Sequence, residues 1–415
     1  MRKLVLIVLS LIVLVIPFRA DALTNPLKTA TKAEVVKILG TSEHFERFND
    51  GEKVKTSDFL KAMFEIYDIE VSADDFFDPK MKKNPVMSYG AILNLSKTRN
   101  GQLSERLTYG KTQQILSRFL EIKDLLVHDE MYGKLNMHEH MISSGDPDTL
   151  LKIMGIFGMS KVFLMPTGVA PDNKYHDKYQ AYLFKLQRRY PDKIMVWCTV
   201  DEADPLAAKE FETCVKTGGK GLKLIGGHPA FYDEPLNSGN MMRVYQVADK
   251  YNLPVIIHGS IVNIPAVKDE LEDVYGSFPD VTFVQAHYGS VIMKKMDLEL
   301  IEGFLVKYPN LYLDMSYGGG IQRHLRFYKQ DPQKIHNFIL KYQDRLMYGV
   351  DMIMSKNTEL DYLYDRMKCD YDLHKSDRFY CEYASDPDEP QVGFALPRAV
   401  LKKIYYLNPK RILGM

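Results

Sequence analysis

Six polar residues stand where apolar runs of this sequence stop. His138-Glu139-His140 closes the run 135–140, His258 closes 254–258, His287 closes 281–287 and Asp351 closes 346–351. Neutral imidazoles with a carboxylate make a donor set for a divalent metal such as zinc. His138 and His140 are two residues apart. On a strand, that spacing puts both imidazoles on one face and turns Glu139 to the other. Taken singly, each signal is weak. A histidine after an apolar run is often structural, and an aspartate there is often a helix cap. Together, four of eleven histidines and one carboxylate at such stops predict a metal site. An open coordination position there would hold a water and lower its pKa.

The elements that must position these residues are legible in the spacing of the apolar runs. There are eight: 135–140, 162–166, 194–200, 221–225, 254–258, 281–287, 311–316 and 346–351. The stretches between them carry helical periodicity, for example 241–251 and 297–308. Continuous apolar strands alternating with helices predict a parallel sheet covered on both faces. Eight such units predict an α/β fold, a (β/α)8 TIM barrel, whose chemistry sits at the C-terminal ends of the strands. A doubly wound open sheet would want a Gly-rich phosphate loop after its first strand. His138-Glu139-His140 stands there instead.

The chain has 415 residues, more than one barrel of roughly 250 residues needs. Residues 24–130 are mostly helical in pattern. Thr31 and Glu34 read as an N-cap and its box partner, and 103–126 is a second long amphipathic stretch. The expected organisation is a signal peptide at 1–22, a helical extension at 23–130 and the barrel at 131–415. The signal peptide rests on Arg2 and Lys3, the apolar run 4–16, Pro17, and Ala20-Asp21-Ala22 as a cleavage site cut after Ala22. The mature protein is then expected to be exported, periplasmic or secreted, with no stable membrane insertion. Lys+Arg and Asp+Glu balance at 54 each, which leaves no basic footprint for nucleic acid. The expected partner is a small-molecule substrate, and a homodimer stays open.

Export permits disulfides. Cys198 lies inside the run 194–200 and reads as a buried core thiol. Cys369 and Cys381 flank a polar stretch with little pattern, and stay open between a bridge and two thiols. The segment 355–391 reads as a long loop beside the barrel mouth. Its Tyr362, Tyr364, Tyr371, Tyr380 and Tyr383 would wall the pocket. His228, Tyr317, Arg323 and Arg326 follow the fourth and seventh runs and are candidates for an anionic substrate.

The order His-x-His, Lys, His, His, Asp on strands 1, 4, 5, 6 and 8 resembles the amidohydrolase superfamily. The local wording is closest to its amidohydrolase-related branch, which includes aminocarboxymuconate-semialdehyde decarboxylase-like enzymes. The matching segments include Leu253-Pro-Val-Ile-Ile-His-Gly, Gln285-Ala-His-Tyr-Gly, Leu346-Met-Tyr-Gly-Val-Asp and Asn408-Pro-Lys-Arg-Ile-Leu-Gly. The resemblance covers about 134–415. It implies that His138, His140 and His258 bind one divalent metal, zinc first and manganese as the alternative. Asp351 would ligate the metal or hold its water and act as general base. His287 would contact the substrate, stabilise an oxyanion or assist proton transfer. Lys223 would be a pocket cation; a second metal on a carboxylated Lys223 is the other reading. The implied reaction is hydrolysis of an ester, lactone or amide. Non-oxidative decarboxylation and a non-catalytic metal-binding barrel are the alternatives.

Overall fold

Strands form where the eight apolar runs stand, and burial gives the reason. The computed structural model describes residues 29–95, 103–126, 133–142, 144–166, 176–226, 234–258, 261–262, 264–289, 297–316 and 320–415. Its main strands are β1 (Lys134–Met141), β2 (Met159–Met165), β3 (Ile194–Val196), β4 (Leu222–Leu224), β5 (Val255–Ile257), β6 (Phe283–Gln285), β7 (Leu311–Asp314) and β8 (Leu346–Met347). β1 is buried at every position, and so are β3 to β6. A strand covered on both faces has no polar face to alternate, so its sequence is a continuous apolar run.

All pairings among these strands are parallel. β3, β2 and β1 form one ladder; β4 to β8 form another in sequence order. Two seams join the ladders. Cys198 bridges to Leu222 beyond the end of β3, and Lys223 N donates to Cys198 O at 2.7 Å. On the other side, Met137 N donates to Tyr348 O at 3.0 Å and Asp351 N to His138 O at 2.7 Å. A short strand, β9 (Ile353–Met354), extends that seam along the exit of β1. This is the expected (β/α)8 architecture.

Helices α1 (Lys32–Leu39), α2 (Thr56–Ile66), α3 (Pro85–Ile92) and α4 (Tyr109–Leu120) precede the barrel. Thr31 and Glu34 form the expected capping box on α1, Thr31 N donating to Glu34 Oε2 at 2.8 Å. The crossovers are α5 (Pro147–Ile156), α6 (His176–Arg189), α7 (Ala207–Thr217), α8 (Gly239–Tyr251), α9 (Pro265–Ser277), α10 (Leu298–Lys307), and the pair α11 (Ile321–Tyr328) and α12 (Pro332–Tyr342). α13 (Leu360–Lys375), the hairpin β10 (Arg378–Phe379) and β11 (Gln391–Val392), then α14 (Arg398–Lys402) and α15 (Asn408–Ile412) complete the chain. Among the described residues, no helix is long and apolar enough to cross a membrane.

Two expectations are corrected here. Cys198 is not a free core thiol: it is bridged to Cys214 on α7, with Cα atoms 6.0 Å apart. A 16-residue separation spans a strand exit and a helix, so only the packing of α7 against the barrel brings the sulfurs together. Cys369 and Cys381 also form a disulfide. The second correction is the segment 355–391, which is not an extended loop. α13 occupies sixteen residues of it and packs against α5 and α11. Tyr371 is core rather than pocket wall: its ring lies against Phe157, with the Lys134 ammonium 4.7 Å from its centroid.

Candidate metal centre

The donors sit on strand exits whose backbone is bent to present them. Asp351, His287 and Tyr288 all have left-handed φ, at 60°, 54° and 54°. An aspartate or a histidine adopts that region more readily than most residues; a tyrosine held there is strained, and such strain collects at functional sites. Gly349 lets β8 approach β1, since a Cβ on it would lie 2.6 Å from His138 Cβ.

On β1 the two-residue spacing does what a strand requires. His138 Nε2 lies 3.2 Å and His140 Nε2 2.9 Å from Asp351 Oδ1. His287 Nε2 is 3.7 Å from Asp351 Oδ2. One ligand atom each from His138, His287 and Asp351 fits within a 4.8 Å sphere of mutual distances. His258 Nδ1 faces His287 Nε2 at 3.2 Å. Lys223 Nζ reaches His138 Nε2 at 3.2 Å. Glu139 points outward as expected. It accepts from Asn136 Nδ2 at 2.8 Å and Met352 N at 3.1 Å, which pins the chain just after Asp351.

The far side of each ring decides what the near side offers. His138 Nδ1 is 2.7 Å from Asp314 Oδ2, His140 Nδ1 is 2.8 Å from Pro166 O, and His287 Nδ1 is 3.2 Å from Ser316 O. A carboxylate or carbonyl oxygen can only accept, so each Nδ1 can keep its proton there, and with a cation in the centre each Nε2 would turn a lone pair to it; without one, a proton on Nε2 of His138 or His140 bonds Asp351. Lone pairs turned inward by outer oxygens are what metal-ligating histidines show. The residues present therefore fit a divalent cation.

Electrostatics agree. Burial opposes the charge on Asp351, but His138 and the hydrogen bonds from His138 and His140 hold its carboxyl well below the usual carboxylate range. Asp314 is lowered in the same way, with burial outweighed by His138 and His287. Burial and Lys223 oppose a proton on His138, yet Asp351 and Asp314 outweigh them and raise its pKa. Burial lowers His140 and His258, and pushes His287 down to about 4. Burial also lowers Lys223, against the pull of Asp351, Asp314 and Glu202. Two ionised carboxylates beside buried imidazoles give a centre built for positive charge.

The structure thus gathers His138, His140, His258, His287, Asp351 and Lys223 into one cluster. His228 and Tyr317 lie outside the described residues, as does the Arg323 side chain; Arg326 is exposed on α11. Asp314, Ser316 and Glu202 were not singled out from the sequence. Asp314 closes β7, so the same strand-end argument reaches it. Glu202 has no such signal. Its Oε1 accepts from Ile225 N and Gly226 N, both at 2.8 Å, and anchors the exit of β4 beyond Lys223.

A protein-family model described as amidohydrolase matches residues 161–415. β1, with His138 and His140, precedes that match. No curated protein matches the chain. Among solved structures, a 2,6-dihydroxybenzoate decarboxylase from Rhizobium is 14% identical, with 68% of this chain and 99% of that chain covered and a TM-score of 0.45. A 5-carboxyvanillate decarboxylase from Novosphingobium aromaticivorans, in complex with manganese and a nitrobenzoic acid, is 14% identical, at 68% and 96% coverage and a TM-score of 0.43. A protein from Pseudomonas putida, named as a 2-pyrone-4,6-dicarboxylic acid hydrolase, is 12% identical, at 68% and 97% coverage and a TM-score of 0.45. The family match spans more than half of the chain, and this protein belongs to the amidohydrolase family as a metal-dependent (β/α)8-barrel enzyme.

Proposed function

We propose that the protein is an exported hydrolase acting on an ester, lactone or amide bond of a small molecule. One divalent metal, zinc first, would be held by His138, His140, His258 and Asp351. The observation that carries this reading is the convergence of two Nε2 atoms from one strand face on a single carboxylate oxygen. When bound, the metal supplies Lewis acidity and a water of lowered pKa. Asp351, kept ionised by its neighbours, accepts the proton of the attacking water and returns it to the leaving group. His287 holds its Nδ1 proton on Ser316 O, so its Nε2 receives protons rather than donating them. At 3.7 Å from Asp351 Oδ2 it can relay what Asp351 takes up. Lys223 competes with a cation for the His138 lone pair. With the centre filled it would be free to hold an anionic oxygen of the substrate.

That last point favours a second reading, non-oxidative decarboxylation, in which Lys223 holds a substrate carboxylate. Metal analysis of the purified protein and a screen of esters, lactones, amides and aromatic carboxylates separate the two. Stoichiometric zinc with hydrolysis, lost in Asp351→Asn, is expected. Release of carbon dioxide as the sole turnover overturns hydrolysis, and a protein that takes up no metal overturns both.

Export is proposed on residues 2–22, with residues 23–130 as a helical extension of the barrel at 131–415. Two disulfides support it, because such bridges persist outside the cytosol. N-terminal sequencing of the exported protein should begin near Leu23; membrane-bound protein that keeps Met1 would show a signal anchor instead.

A further inference from the structure

The end of the barrel opposite the metal centre has a cavity of about 490 Å³. It lies where the starts of β1, β2 and β3 meet α3 and the last helical turns of the chain. Its wall carries Lys80, Lys161, Lys193 and Lys410 against the carboxylates of Asp78 and Asp192. Four lysines and two aspartates thus line one space. Lys193 is only 6% exposed. Its Nζ donates to Ala91 O at 2.9 Å, and Lys161 Nζ donates to Asp192 O at 2.8 Å. An ammonium group has three donors, so each lysine has donor capacity beyond that bond. Among the described residues neither lysine has a carboxylate within ion-pair distance.

Burying the charge of Lys193 beside a half-buried Lys161 is costly unless something compensates it. Burial, with Lys161 as a like charge, pushes the Lys193 pKa down to about 7, and burial lowers Lys161 as well. Ile92 and Leu135 add an apolar floor, and Ser160 adds a hydroxyl. A cavity of several hundred Å³ with a few convergent polar groups is the form of a small-molecule site. A lysine that merely ties α3 to the barrel would need Lys193 alone, without the other three and without the space between them.

We propose that this cavity is a second ligand site, which takes a small organic polyanion. Its carboxylate or phosphate groups contact Lys161, Lys193 and Lys410, and its carbon body rests on Ile92 and Leu135. The site stands apart from the metal centre and does not depend on the hydrolase reading. Much of its wall comes from the helices before the barrel, so a bound anion would also hold them to the barrel base.

The test is calorimetric titration of the full mature protein with citrate and, separately, pyrophosphate, at constant ionic strength. The two probes distinguish carboxylate from phosphate recognition. Both can also chelate at the metal centre, so Lys161→Met and Lys410→Gln are titrated in parallel; these positions are remote from that centre. The expected result is saturable binding of at least one probe, weakened tenfold or more in both variants. If Lys161→Met does not fold, Lys410→Gln, at a half-buried position, carries the comparison alone. No saturable binding to the unaltered protein, or equal affinity in the lysine variants, overturns the proposal.

Discussion

His138 Nδ1 lies 2.7 Å from Asp314 Oδ2, and both side chains are fully buried. The two residues are 176 positions apart, on the first and seventh strands. The carboxylate fixes which face the imidazole shows to the centre. The same aspartate accepts from His287 N at 3.1 Å and Ser316 N at 2.9 Å through Oδ1. One side chain therefore orients two of the four histidines.

Asp314→Asn is a stringent variant for this reason. An amide can offer oxygen to His138 or to the two backbone N–H groups, but not to both. Loss of such an outer partner costs about 10- to 100-fold in metal affinity. Titration against a competing chelator should show a fall in that range, with the circular dichroism spectrum unchanged. Undiminished affinity would remove Asp314 from the centre.

His258 and His287 face each other across 3.2 Å, and their roles separate by readout. His258→Ala should lose most of the bound metal. His287→Ala should keep at least half of it and lose turnover by about 100-fold, the scale of general acid–base contributions. If His287→Ala is the variant that loses metal, the two roles are exchanged.

His374 offers a test in acid away from the centre. It is almost fully buried beside Tyr405, its Nδ1 2.9 Å from the hydroxyl, and burial pushes its pKa from 6.5 to about 3. The folded state thus refuses a proton that the unfolded chain accepts below pH 6.5. Stability is fully retained above that pH and falls as pH drops toward 3. From pH 6.5 to 4.5 the loss should be about 2–3 kcal/mol. Urea unfolding of the protein and of His374→Phe, compared at both pH values, isolates it. The difference between them should shift toward the variant by that amount, and a constant difference would exclude the coupling.

The Cys198–Cys214 bridge closes a loop of 16 residues beside the seam between β3 and β4. A loop of that size corresponds to about 3 kcal/mol in the chain-entropy picture. The Cys198→Ala, Cys214→Ala double variant should be less stable by about 2–4 kcal/mol in urea unfolding. Cys198 O accepts from Lys223 N at 2.7 Å, so the KM should rise as well. A change in stability alone would separate the bridge from the site.

The barrel was legible in the sequence because its strands are local objects. A strand buried on both faces writes itself as a short apolar run, and a polar residue at its end marks where it reaches the mouth. His138, His140, His258, His287 and Asp351 were found in this way, and the spacing of the first two already set their common face. The sequence alone also carried the capping box of Thr31 and Glu34, whose partners are three residues apart.

What the tertiary structure decided depends on partners far apart in the chain. The Asp314 carboxylate turns His138, Lys223 comes to within 3.2 Å of a histidine 85 residues away, and Glu202 holds the exit of β4. Cys198 meets Cys214 only because α7 folds back over the strand exit. α13 was obscured because its sixteen residues mix charges and tyrosines with few apolar positions, so packing against α5 and α11 rather than pattern makes it a helix. Local periodicity records which residues are buried. It does not record what they are buried against, and at this centre the neighbour on the far side of each imidazole determines which nitrogen is free to bind.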